Sequence, residues 1–66
     1  MEPKYPNITV SLVGEDGNAF MVLGLVSKAL RRGGVSDEER KAFFDEAVAG
    51  DYDHLLQTVM AWVNVE

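Results

Sequence analysis

AWVNVE, residues 61–66, decides what kind of fold this chain makes. Its alternation puts Val63 and Val65 on one side and Trp62 and Asn64 on the other, the two-residue period of a strand. One other stretch has that character. ITVSLV, residues 8–13, is rich in β-branched types and lies between Pro6-Asn7 and Gly14. Ile8, Val10 and Leu12 share one face of it, and Thr9, Ser11 and Val13 the other. Pro6 is expected just before this strand, where a missing N–H costs the ladder little. With a strand at each end and helical patterns between, the expected fold class is α+β: a βαααβ order, the terminal strand beside the first. Two strands alone are marginal in water, so the three helices must cover one face of the sheet. The other face, or a strand edge, could pair with a second copy, and a homodimer is expected.

The helices are bounded by clear signals. Asn18 is placed to cap a first helix ending near Arg32, with Phe20, Leu23, Val26 and Leu30 at helical spacing and Val22, Leu25 and Ala29 widening the stripe. AFMVLGLV, residues 19–26, is apolar almost all round, which predicts a helix buried on most sides. Gly24 falls inside it, where glycine costs about 1 kcal/mol against alanine; close approach by another backbone would explain its presence. Lys28, Arg31 and Arg32 suit the negative end of the helix dipole, and Gly33-Gly34 ends the helix. SDEE at 36–39 reads as a capping box, Ser36 capping and Glu39 reaching back, for a second helix running to about Ala49. Ala42, Phe43, Phe44, Ala47 and Val48 form its narrow apolar face. Asp51 caps a third helix that carries Tyr52, Leu55, Leu56, Val59 and Met60 inward.

Sixty-six residues make one small domain. A chain of this size buries only about 60% of the surface that it exposes unfolded, so its stability margin is thin. The absence of cysteine excludes disulfides and thiolate metal sites, and a single histidine argues against a zinc centre. No apolar run is long enough to span a membrane, and MEPKYPN has neither a basic start nor an apolar signal core. A cytoplasmic protein is the expectation. The net charge of −5 is unevenly spread. Residues 18–34 carry three cations and no acid, whereas residues 35–66 carry eight acids against Arg40 and Lys41. An acidic chain repels nucleic acid and favours basic partners.

Three constellations invite chemistry. The strand–GEDG–helix layout of residues 8–20 resembles a phosphate loop, but Glu15 and Asp16 oppose an anion, and the Walker and dinucleotide patterns are absent. A turn plus cap explains these residues. Asp16 and Asn18 are spaced like two calcium ligands, yet the rest of an EF-hand is missing. Asp51, Asp53 and His54 could in principle form a general base, but no nucleophile stands near in sequence and capping accounts for them. No catalytic residue, cofactor or metal is therefore expected, and the chain reads as a non-enzymatic protein. The acids Asp37, Glu38, Glu39, Asp45 and Glu46 gather on one helix and are the candidate partner-binding face. The alternative site is the basic trio Lys28, Arg31 and Arg32, for which nucleic acid would be the ligand.

Taken together, GEDGNAF (14–20), SKALRRGGVS (27–36) and GDYDHLLQTVMAWVNVE (50–66) resemble a group of small proteins of bacteria and of their phages and prophages. The resemblance spans Asn7 to Glu66. It implies no particular activity and carries over no functional residue; it implies a setting, that of mobile elements. Small acidic proteins in that setting include inhibitors of host defence, anti-CRISPR proteins among them. By that analogy, the expected function is an acidic interaction module that inhibits a CRISPR-type nucleoprotein complex. Such complexes hold nucleic acid in positively charged channels, where spaced carboxylates could stand in for phosphates.

Overall fold

A computed structural model describes residues 2–12 and 18–66. The element order is β1 (Tyr5–Val10), α1 (Ala19–Arg32), α2 (Asp37–Ala47), α3 (Tyr52–Trp62) and β2 (Val63–Val65). This is the expected α+β fold in βαααβ order. β1 and β2 lie side by side and parallel, an arrangement that needs a long crossover, here supplied by the three helices. The turn expected at Glu15–Gly17 falls outside the described residues.

β1 begins three residues earlier than expected, so Pro6 lies inside it. The reason is in the pairing. Tyr5 faces Val63 and Thr9 faces Asn64, so β1 has extra residues between two adjacent positions of β2. That irregularity tolerates a residue with no N–H. The Asn64 side chain donates to the Pro6 carbonyl across the gap. At the far end pairing runs past Val10: the Glu66 N–H donates to the Val10 carbonyl at 2.9 Å, and the Leu12 N–H to that of Glu66 at 3.4 Å. The predicted faces hold over the described residues, with Ile8 and Val10 buried, Leu12 packed against the core, and Thr9 and Ser11 exposed.

All three helix caps form where the sequence placed them. Asn18 accepts from the N–H groups of Phe20 and Met21, Ser36 from that of Glu39, and Asp51 from that of His54. α1 ends in a Schellman turn, with Val35 N–H donating to Leu30 and Gly34 N–H to Arg31. Gly34 supplies the required positive φ of 87°. Val35 and Leu30, the hydrophobic pair of that motif, both enter the core.

The core joins Val22, Val26 and Leu30 of α1 to Phe43 of α2, Leu55 and Val59 of α3, and Ile8, Val10 and Val63 of the sheet. Trp62 sits at its edge. Expected on β2, it instead closes α3, stacking edge-on against Phe43 at 5.5 Å and tilted against Tyr5 at 5.9 Å.

Several residues expected inside are outside. Phe20 is 83% exposed, Met60 55%, Val48 48% and Phe44 46%. α1 buries only Val22, Leu23, Val26 and Leu30, although its sequence is apolar nearly all round. A domain this small has too few layers to cover a helix on every side. α2 ends at Ala47 and buries only Phe43 and Ala47.

Gly24 also departs from expectation. A Cβ built there meets nothing within 4 Å among the described residues, so no other described backbone approaches it. Its helix penalty is therefore uncompensated within the fold, and Gly24→Ala is expected to stabilise the chain by about 1 kcal/mol. For a domain of this size that raises the thermal midpoint by roughly 4–8 °C. A fall on circular-dichroism melting would show that Gly24 meets a requirement the fold does not display.

Candidate interaction surface

The five candidate acids of α2 do not form one equivalent face. Glu39 and Glu46, two turns apart, turn toward the rest of the fold. The Glu39 carboxylate takes both its contacts from Lys4 Nζ at 3.2 Å, so it does not reach back to complete the expected capping box. Lys4 in turn lies 4.4 Å from the centre of the Trp62 ring, a cation–π position. Glu46 Oε2 accepts from Trp62 Nε1 at 2.8 Å. These two acids thus fasten α2 to the aromatic cluster. Trp62 has an indole N–H that needs a partner when buried, and Glu46 supplies it.

Asp37, Glu38 and Asp45 are placed differently. Asp37 is exposed and pairs with Arg40 one turn on, a surface interaction worth about 0.2–1 kcal/mol at most. Glu38 and Asp45 are exposed and lie two turns apart on one side of the helix. The ion pairs among the described residues are Lys4–Glu39 and Arg40–Asp37; neither Glu38 nor Asp45 enters one. Exposed Lys41 lies one turn from each of them, and beyond it around the helix come Phe44 and Val48, one turn apart and each nearly half exposed. Val48 shares a shallow apolar groove with Phe20 and Leu23 of α1 and with Tyr52 and Leu55 of α3. Sequence reasoning put Phe20, Phe44 and Val48 inside, because periodicity shows that a residue is apolar but not which stripe of a helix wins the core.

The difference between the two groups of acids is measurable. Glu46→Ala leaves the Trp62 N–H without its acceptor and is expected to cost about 1 kcal/mol, roughly 4–8 °C in thermal midpoint. Its neighbour Asp45 has no such role, and Asp45→Ala is expected to stay within about 0.5 kcal/mol of the parent. Equal losses from the two substitutions would contradict this division.

Two members of the Asp51–Asp53–His54 constellation hold the junction of α2 and α3. Asp51 caps the His54 N–H at 2.9 Å, and His54 Nε2 donates to the Glu46 carbonyl at 2.8 Å, so that nitrogen carries the proton. The imidazole thereby adds a second donor to a carbonyl in the last turn of α2 that also accepts from the Ala49 N–H at 3.3 Å. Gly50 permits this, since a Cβ there would come within 2.8 Å of the His54 Cβ and Cγ. Asp53 is exposed. Thr58, the buried polar residue of the core, donates to the His54 carbonyl at 2.8 Å. Among the described residues no three His, Asp or Glu side chains gather as a metal site.

The basic trio occupies the last turns of α1, all three residues exposed. Lys28 and Arg32 face a groove beside β1, on a different element from the acids of α2. No helix is long and apolar enough to cross a membrane, among the described residues.

Fold and surface together define a small α+β domain with an exposed acidic and apolar strip along α2. Compared with family models, with curated proteins and with solved structures, the chain matches none.

Proposed function

We propose that this chain is a non-enzymatic interaction module that binds a basic protein surface through α2. What carries the reading is the pair Glu38 and Asp45, exposed and without an ion-pair partner among the described residues, on the same helix as exposed Phe44 and next to exposed Val48 at its end. Protein interfaces combine an apolar centre with a polar rim, and α2 offers both within three turns. Glu38, Asp45 and Asp37 supply charge that speeds encounter and selects the partner. Phe44 and Val48, with Phe20 beside them, supply the area that water leaves on binding. Glu39 and Glu46 contribute field at the margin while holding the fold.

The concrete form of the proposal is inhibition of a host defence nucleoprotein. The acidic strip would enter a channel that normally holds nucleic acid, with Glu38 and Asp45 roughly 10 Å apart along the helix and facing cations that otherwise meet phosphates.

Affinity capture from a bacterial lysate tests this, using the parent chain and the Glu38→Lys/Asp45→Lys variant side by side. The parent is expected to retain a basic protein or a nucleoprotein complex that the variant does not. Recovery of the same proteins by both would overturn the proposal.

A further inference from the structure

β1 has a second edge. Among the described residues the sheet contains two strands, and β1 pairs with β2 alone. The Val10 carbonyl and the Leu12 N–H point toward β2, where they bond to Glu66. Successive residues of a strand direct their backbone groups to opposite sides, so Thr9 and Ser11 present theirs to the other edge, which has no partner strand among the described residues.

A groove runs along that edge. On the strand side it is lined by Asn7, Ile8 and Thr9 and then by Val10 and Ser11. These are consecutive residues rather than alternate ones, so the wall of the groove is the strand's edge and not one of its faces. On the helix side α1 contributes Leu25 and Ala29 as an apolar floor, with Lys28 and Arg32 above. Lys28 and Arg32 are one turn apart and exposed. An unpaired edge needs backbone donors and acceptors in extended form, and the rim needs negative charge.

We propose that this groove takes up an extended acidic peptide segment of a partner as an added strand. The backbone of the segment would pair with Thr9 and Ser11, and its carboxylates would meet Lys28 and Arg32. Main-chain hydrogen bonds give such strand addition its affinity, and side-chain pockets give it selectivity. A second copy of this chain fits the charge badly. Its β1 carries no acid, and pairing edge to edge would bring two sets of Lys28, Arg31 and Arg32 together. Single-stranded nucleic acid lacks its usual platform, because no aromatic side chain lines the groove. This surface is separate from the strip on α2, and either can stand without the other.

The test is amide NMR on the full isotope-labelled chain, titrated with a short peptide alternating Glu with Val and Thr. The Thr9 and Ser11 amides are expected to shift and to gain protection from hydrogen exchange. Lys28→Glu/Arg32→Glu should weaken binding at least about tenfold. Ser11→Pro, which removes an edge donor without touching the ladder to β2, should abolish it. Should the proline variant fail to fold, the charge variant decides alone. Three results would each overturn the proposal. These are equal binding of the corresponding Lys peptide, binding of an oligothymidylate strand in place of the acidic peptide, and Thr9 and Ser11 amides already protected in a self-associated free chain.

Discussion

Phe43→Ala is expected to cost about 3–5 kcal/mol and to leave much of the population unfolded at room temperature. Phe43 is 1% exposed and ranks first by volume among the fully buried side chains. It meets Trp62 edge-on at 5.5 Å, and α2 contributes only one other buried residue, Ala47. Removing the ring therefore takes away the larger of the two apolar anchors of α2 and opens a cavity beside Trp62. A domain of this length has a total stability of roughly 3–10 kcal/mol, so the loss approaches the whole. Urea denaturation followed by Trp62 fluorescence checks it, because the indole lies against the deleted ring. A midpoint close to the parent's would mean that α2 is held by something other than this contact.

The same substitution separates the part of the fold that could be read from sequence from the part that could not. Capping residues are local signals, and Asn18, Ser36 and Asp51 each bond where their spacing demanded. The Gly33-Gly34 stop and the alternation of residues 63–65 are equally local, and from them the element order follows. Phe43 and Phe44 are adjacent, and nothing local distinguishes them. One is buried and the other 46% exposed, because three short helices on two strands fix the angle at which α2 meets the core. Trp62 closes α3 instead of opening β2 for a related reason: from that position its N–H reaches Glu46, a partner that nothing local announces. The acids of α2 were legible as a group. Their division was not, since Lys4 and Trp62 lie 35 and 16 residues away from Glu39 and Glu46.

That division leads to the second large effect. Each acid-to-lysine reversal changes the charge by two, so Glu38→Lys/Asp45→Lys takes the chain from −5 to −1. Neither side chain is buried or paired among the described residues. The structural cost combines the favourable position of Glu38 in the first turn of α2, about 0.3–1 kcal/mol, with repulsion between each new lysine and Lys41 one turn away, about 0.2–0.5 kcal/mol per pair. The cost to binding is larger, because two attractions at a basic surface become two repulsions. A loss of at least about tenfold in affinity, or 1.4 kcal/mol, is expected near physiological salt. The difference should shrink as salt rises and screens exposed charge. Phe44→Ala offers the complementary probe, weakening binding with little change in salt dependence.

The most direct measurement is calorimetric titration of the captured partner with the parent and with Glu38→Lys/Asp45→Lys, at low and near-physiological salt, alongside thermal melts of both chains. The expected result is a salt-dependent loss of at least about tenfold in affinity in a variant that still melts as a folded chain. Unchanged affinity in a folded variant would contradict the assignment of the outward acids of α2 as the contact surface.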